Sequence, residues 1–82
     1  MHAMQWDKKL SRPLVLKDSE SLETLNDVRM LFLDRFANVT HSASLAHAAE
    51  LLLKAAETGK RGDIAAATDQ IELVLMNARM MR

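Results

Sequence analysis

The feature that most constrains the fold is a short turn, Gly-Lys-Arg-Gly at 59–62, between two long segments with helical patterns. The segment before the turn starts near Ser42 or Ser44, either of which can cap a helix. The segment after it is capped by Asp63 and continues to about Met81. Because so short a turn brings consecutive helices side by side, the pattern predicts an antiparallel helical hairpin.

The first helix of this hairpin is apolar over a broad arc. At about 100° per residue, its leucines and alanines cover roughly 220° of the circumference. These residues are Leu45, Ala48, Ala49, Leu51, Leu52, Leu53, Ala55 and Ala56. An arc of this width indicates a central helix that packs on more than one side.

A helix with a clear start signal precedes the hairpin. Thr24 is a favourable N-cap, and Asp27 three residues later resembles a capping box. The apolar stripe that follows carries both phenylalanines, Phe32 and Phe36, and is expected to be a main anchor of the core. Trp6, the sole tryptophan, is expected to pack on the domain and fix the N-terminus.

The only predicted β structure lies between residues 12 and 24. Pro13 fixes an extended start to a short apolar run, and Leu22 with its neighbours forms a return strand after a polar turn. Since a two-stranded hairpin alone is marginally stable, it must lie on the helices. The predicted fold is α+β but mostly α: one domain over residues 1–82, in which residues 1–11 could be a loose arm.

The last helix is apolar along two lines. The expected core stripe consists of Ile64, Ala67, Ile71, Val74, Leu75 and Ala78. A second line, here called the outer line, consists of Ala66, Asp69, Leu73, Met76 and Met80, with the 3-4-3-4 spacing of a helix seam. Either the first helix or the hairpin strands cover it, or a second copy does, or a different partner does. Asp69, if buried there, would need an Arg or Lys from another element or copy.

No residue pattern predicts a catalytic, cofactor or metal site. There is no cysteine, and His47 with Glu50 could hold a metal only with a third ligand that is not evident. The serines lie in capping or turn contexts without the glycine-flanked elbow of a hydrolase. The turn at 59–62 lacks the spacing of a phosphate loop. We therefore expect a protein that is not an enzyme.

Charge argues against a nucleic-acid partner, because eleven basic residues balance eleven acidic ones. Bases gather in residues 1–17 and acids in residues 18–34, which indicates complementary surfaces within the fold or between copies, with a basic arm for RNA or membrane as the alternative. Polar residues interrupt the N-terminal segment, and no stretch approaches the roughly 20 apolar residues of a membrane span. We expect a cytoplasmic protein.

Short motifs along most of the chain resemble a domain-of-unknown-function family of small proteins found mainly in alphaproteobacteria. They are Trp6, Pro13-Leu14-Val15, Leu22-Glu23-Thr24-Leu25, the alanine-rich run at 45–49 and the turn at Gly59. The sequence departs from the family after the first helix, where Arg35-Phe36-Ala37 replaces a Trp-Pro pair. The resemblance implies a β-hairpin on about three helices and carries over no activity.

These patterns together favour a non-enzymatic interaction module that forms a homodimer through the outer line, although another protein partner is possible. The alternative is a small nucleic-acid-binding regulator that uses the last two helices. Its support is confined to four bases, Lys60, Arg61, Arg79 and Arg82.

Overall fold

The computed structural model of the chain describes residues 4–17, 19–35 and 43–81. Its elements are β1 (Lys9–Val15), β2 (Ser21–Thr24), α1 (Leu25–Arg35), α2 (Ala43–Thr58) and α3 (Arg61–Asn77). In this described part, an antiparallel pair of strands packs against three helices. The predicted fold, α+β and mostly α with a final helical hairpin, is confirmed.

Strand β1 begins earlier than predicted, at Lys9, which pairs with Thr24 at the far end of β2. The signal for this start is the buried Leu10 between exposed Lys9 and Ser11, which is the alternation of a half-buried strand. The prediction that all of the β structure lies within residues 12–24 was therefore wrong at the N-terminal boundary, because β1 begins at Lys9. Residues 9–11 are part of the sheet rather than part of a loose arm.

The residues just before β1 are also attached to the helices. The backbone N–H of Gln5 donates to the carbonyl of Ala56 at 2.7 Å, and the carbonyl of Trp6 accepts from the N–H of Asn26 at 2.9 Å. Trp6 is half-buried against the core. The described part of the N-terminal segment is thus held between α1 and α2.

The capping box of α1 forms as predicted. The N–H of Asp27 donates to Oγ1 of Thr24 at 3.2 Å, and the N–H of Thr24 donates to Oδ2 of Asp27 at 3.1 Å. The core stripe consists of the aliphatic residues Leu25, Val28 and Leu31. The predicted stripe contributes to the core through these three residues, whereas Phe32 is half-buried at the edge of the core and Phe36 lies outside the described residues.

Helices α2 and α3 form the predicted hairpin around Gly59. This residue has φ +65°, and its N–H closes the end of α2 on the carbonyl of Ala55 at 2.8 Å. The buried arc of α2 is narrower than predicted, since Leu53 is 51% exposed. Of the two predicted caps, Ser44 lies within the helix and Ser42 lies outside the described residues.

Asp63 does not cap α3. The helix begins two residues earlier, at Arg61, with Lys60 as an N-cap that makes no side-chain capping bond. The Asp63 carboxylate accepts instead from the hydroxyl of Thr58 at 2.6 Å, which ties the start of α3 to the end of α2. The carboxylate still lies in the first turn, where the helix dipole favours a negative charge.

The C-terminal end of α3 also differs from the prediction, because the helix stops at Asn77 rather than near Met81. Arg79 adopts a left-handed conformation with φ +59°. Its N–H donates to the carbonyl of Met76 at 3.0 Å, and the N–H of Met80 donates to the carbonyl of Leu75 at 2.9 Å. These two bonds are the Schellman motif, which ends a helix and reverses the chain.

After this reversal the chain pairs with the residues that follow β1. The N–H of Lys17 donates to the carbonyl of Met80 at 2.8 Å, and Leu16 and Met81 form an antiparallel bridge. Nearer the middle of α3, the fully buried Thr68 accepts at Oγ1 from the N–H of Ser11 at 3.2 Å. Strand β1 is therefore attached to α3 at both ends of the core.

Candidate interaction surface

The outer line of α3 is exposed along the helix. Leu73 is 47% exposed and Met76 is 57% exposed, and Ala66 is also exposed. Leu73 and Met76 are three residues apart, so their side chains are neighbours on the helix surface. Within the described part of the chain, neither α1 nor the strands bury these two side chains.

Met80, the last residue of the outer line, lies apart from the others. Because α3 ends at Asn77 and the chain reverses at Arg79, Met80 leaves the helical line and packs, half-buried, against the core. The sequence pattern treated it as helical because no glycine or proline marks the end of α3. The exposed apolar pair is therefore Leu73 and Met76.

Asp69 is exposed and has a partner from its own chain. The Arg12 guanidinium contacts Oδ1 of Asp69 through Nη1 at 2.9 Å and Oε1 of Glu72 through Nη2 at 2.8 Å. Hydrogen bonds with Glu72 and Asp69 raise the pKa of Arg12, since they favour its charged form. The sequence analysis expected a cationic partner for Asp69 only if this residue were buried, whereas Asp69 is exposed and is nevertheless paired. The ion pairs of Arg12 with Asp69 and Glu72 form a polar border beside the outer line.

A shallow groove runs beside Met76 at the C-terminal end of α3. It is lined by Lys17, Glu72, Met76, Arg79 and Met81. Sequence reasoning did not place Lys17 or Met81 at this surface, because the bridge between Leu16 and Met81 brings them together from opposite ends of the chain. Its lining combines two methionines, two basic side chains and one carboxylate.

Other apolar side chains are exposed on the remaining helices. Met30 and Leu33 on α1 are 53% and 62% exposed, and Leu53 lies on α2. Met30 lines a second groove with the acidic side chains Asp27 and Asp34. Met30 and Leu33 are also three residues apart on one helix, so they form a second exposed apolar pair, whereas the pair on α3 is bordered by the ion pairs of Arg12.

Trp6 and Arg29 form a contact that serves the fold. The Arg29 guanidinium carbon lies 4.8 Å from the centre of the Trp6 ring, which is cation–π geometry. The Arg29 Nε is buried without a hydrogen-bond partner, so the ring face supplies its main electrostatic compensation. Together these groups close the N-terminal segment over α1.

The residues considered for other chemistry are not brought together. His47 and Glu50 are exposed on α2, and residues 4–17, 19–35 and 43–81 contain no cluster of three or more His, Cys, Asp or Glu that could hold a metal ion. His2 and His41 lie outside the described residues. None of the helices described has both the length and the apolar character needed to cross a bilayer.

The bases considered for nucleic-acid binding are also separated. Lys60 and Arg61 lie at the start of α3, and Arg79 lies just beyond its end. A helix of 17 residues is about 25 Å long, so these bases do not form one patch. Arg82 lies outside the described residues.

Comparison with protein-family models, with curated proteins and with solved structures gives no match. The resemblance to the alphaproteobacterial family therefore stays a prediction. What the structure supplies is a fold with exposed apolar surface on α3 and on α1, each bordered by charged residues.

Proposed function

We propose that this chain is a non-enzymatic interaction module that self-associates through the outer line of α3. The observation that carries the proposal is the neighbouring pair Leu73 and Met76, each about half exposed on one helix face. Burying apolar surface contributes about 25 cal/mol per Å². In a two-fold dimer each copy buries its own Leu73 and Met76, because such an interface uses the same residues twice. The free energy of burial is therefore gained on both copies.

The surroundings of the pair support an interface rather than an isolated exposed residue. Ala66 lies on the same line and is small enough to permit close approach of another helix. The ion pairs of Arg12 with Asp69 and Glu72 form a polar border on one side. An apolar centre within a polar border is the usual arrangement of a protein interface.

The size of the surface limits the expected affinity. A standard interface buries about 800 Å² per partner, whereas the whole surface is 5465 Å². Two side chains and their neighbours cover less than such an area. We therefore expect a reversible dimer with a dissociation constant on the order of micromolar rather than an obligate one.

Light scattering after size-exclusion chromatography, over a wide range of protein concentration, tests this proposal. The unmodified chain should approach the dimer mass as its concentration rises. The double variant Leu73→Glu, Met76→Glu should remain monomeric, with an unchanged helical circular dichroism spectrum. The double variant with Leu33→Glu and Met30→Glu is the matched control, because this pair has the same spacing and similar exposure but lies on α1.

Two results would overturn the proposal. One is a monomeric mass for the unmodified chain at several hundred micromolar, well above the expected dissociation constant. The other is dissociation of the dimer by the α1 control variant to the same extent as by the α3 double variant, since association would then not depend on Leu73 and Met76 in particular.

A further inference from the structure

We infer that the second copy docks with its α3 antiparallel to the first, across a two-fold axis between Leu73 and Met76. This inference rests on the proposed self-association and assigns its geometry. The argument comes from the distribution of charge on either side of the apolar pair.

The two ends of this surface have opposite charge. On the N-terminal side of the apolar pair lie two carboxylates, Asp69 and Glu72, which share the single guanidinium of Arg12. Beyond the end of α3 lie Lys17 and Arg79, which border the same groove. Within the described part of the chain, neither of these two bases makes an ion pair. Two carboxylates and one guanidinium leave a formal charge of −1 on the first side, whereas Lys17 and Arg79 are both positive, although Glu72 also lines their groove.

An antiparallel arrangement of the two α3 helices brings the negative end of one copy against the positive end of the other. When Leu73 of one copy faces Met76 of the other, Glu72 faces Asn77, the last residue of α3 in the other copy. The segment just beyond α3 in the second copy, which carries Arg79, then lies on the side of Asp69 and Glu72, and the same contact is repeated at the other side of the axis. Leu73 of the second copy lies against Met76, one of the residues that line the groove.

A parallel arrangement of the two α3 helices would bring like charges together. It would place the carboxylates of one copy beside those of the other, and the same for Lys17 and Arg79. Like charges at close range across an interface oppose binding and select against that orientation. The charge pattern therefore favours a two-fold antiparallel pair over a parallel one.

Charge reversal tests the pairing of the ends. Arg79→Glu alone and Asp69→Lys alone should each weaken the homodimer by about tenfold, while an equimolar mixture of the two should form a heterodimer as tight as the unmodified dimer. Arg61→Glu is the matched control, because it makes the same change of charge at the other end of α3. The inference fails if Arg61→Glu weakens the dimer equally, or if the mixture does not associate.

A distance measurement tests the orientation directly. Because the chain has no cysteine, Ala66→Cys gives a single site for a spin label. In the antiparallel dimer the two labels are about 25 Å apart along the helix axis, whereas parallel helices would bring them within about 15 Å. The dimer mass is confirmed first by light scattering, so a short distance in a true dimer overturns the orientation alone, and a monomeric mass overturns the proposed function with it.

Discussion

Replacing Arg79 with glycine is expected to stabilise the folded domain. Arg79 occupies the left-handed position of the Schellman motif at the end of α3, with φ +59°. Both hydrogen bonds of the motif use backbone atoms, so they are retained when the side chain is removed. The substitution changes only the conformational preference of the residue and its exposed charge.

The expected magnitude follows from two opposing terms. A residue with a β-carbon loses about 1–2 kcal/mol in the left-handed region. Glycine avoids this loss, but its greater freedom in the unfolded chain costs about 0.5–1 kcal/mol. The difference is an increase of roughly 0.5–1 kcal/mol in the free energy of unfolding.

Urea unfolding followed by Trp6 fluorescence measures this change, at a protein concentration low enough to keep the chain monomeric. With a slope of about 1 kcal/mol/M for a domain of this size, the midpoint should rise by about 0.5–1 M. Arg79→Ala is the control, because it removes the charge but keeps the β-carbon. If alanine stabilised the domain as much as glycine, or if glycine did not raise the midpoint, the backbone argument would be refuted.

Three further substitutions test contacts that hold the elements together. Thr68→Val should lower the free energy of unfolding by about 1–2 kcal/mol in urea titrations, because the N–H of Ser11 loses its acceptor; an unchanged midpoint would contradict this. Gly59→Ala should lower the melting temperature by about 5 °C or more, since the residue has φ +65° and its β-carbon would meet the N-terminal segment. Thr24→Ala should cost about 1 kcal/mol, and Thr24→Ser should recover most of it, because the hydroxyl bonds Asp27; equal loss in both variants would rule out the capping explanation.

The parts of the fold that were predicted correctly depend on local signals. The capping box joins residues 24 and 27, and the left-handed glycine at 59 ends a helix within one turn of its own position. Helical periodicity likewise compares residues three or four positions apart. Each of these signals can be read without knowing what the rest of the chain contacts.

The parts that were not predicted depend on residues far apart in sequence. Arg12 meets Asp69 and Glu72 across nearly the whole chain, and Lys17 reaches the groove through the bridge that Leu16 makes with Met81. The end of α3 was misplaced for a related reason. An arginine takes the position where a glycine would have marked the turn, and pairing with the residues after β1 replaces the last helical turn.

Arg79 connects the stability of the fold with the proposed interface, because its effects on the two should have opposite signs. Arg79→Gly should raise the stability of the monomer and at the same time weaken the dimer, since it removes the charge that lies on the side of Asp69 and Glu72 in the second copy. Dimerisation stabilises a folded chain by mass action, so the midpoint of unfolding should rise with protein concentration more steeply in the unmodified chain than in the variant. If Arg79 served only to end α3, the two chains would show the same dependence on concentration.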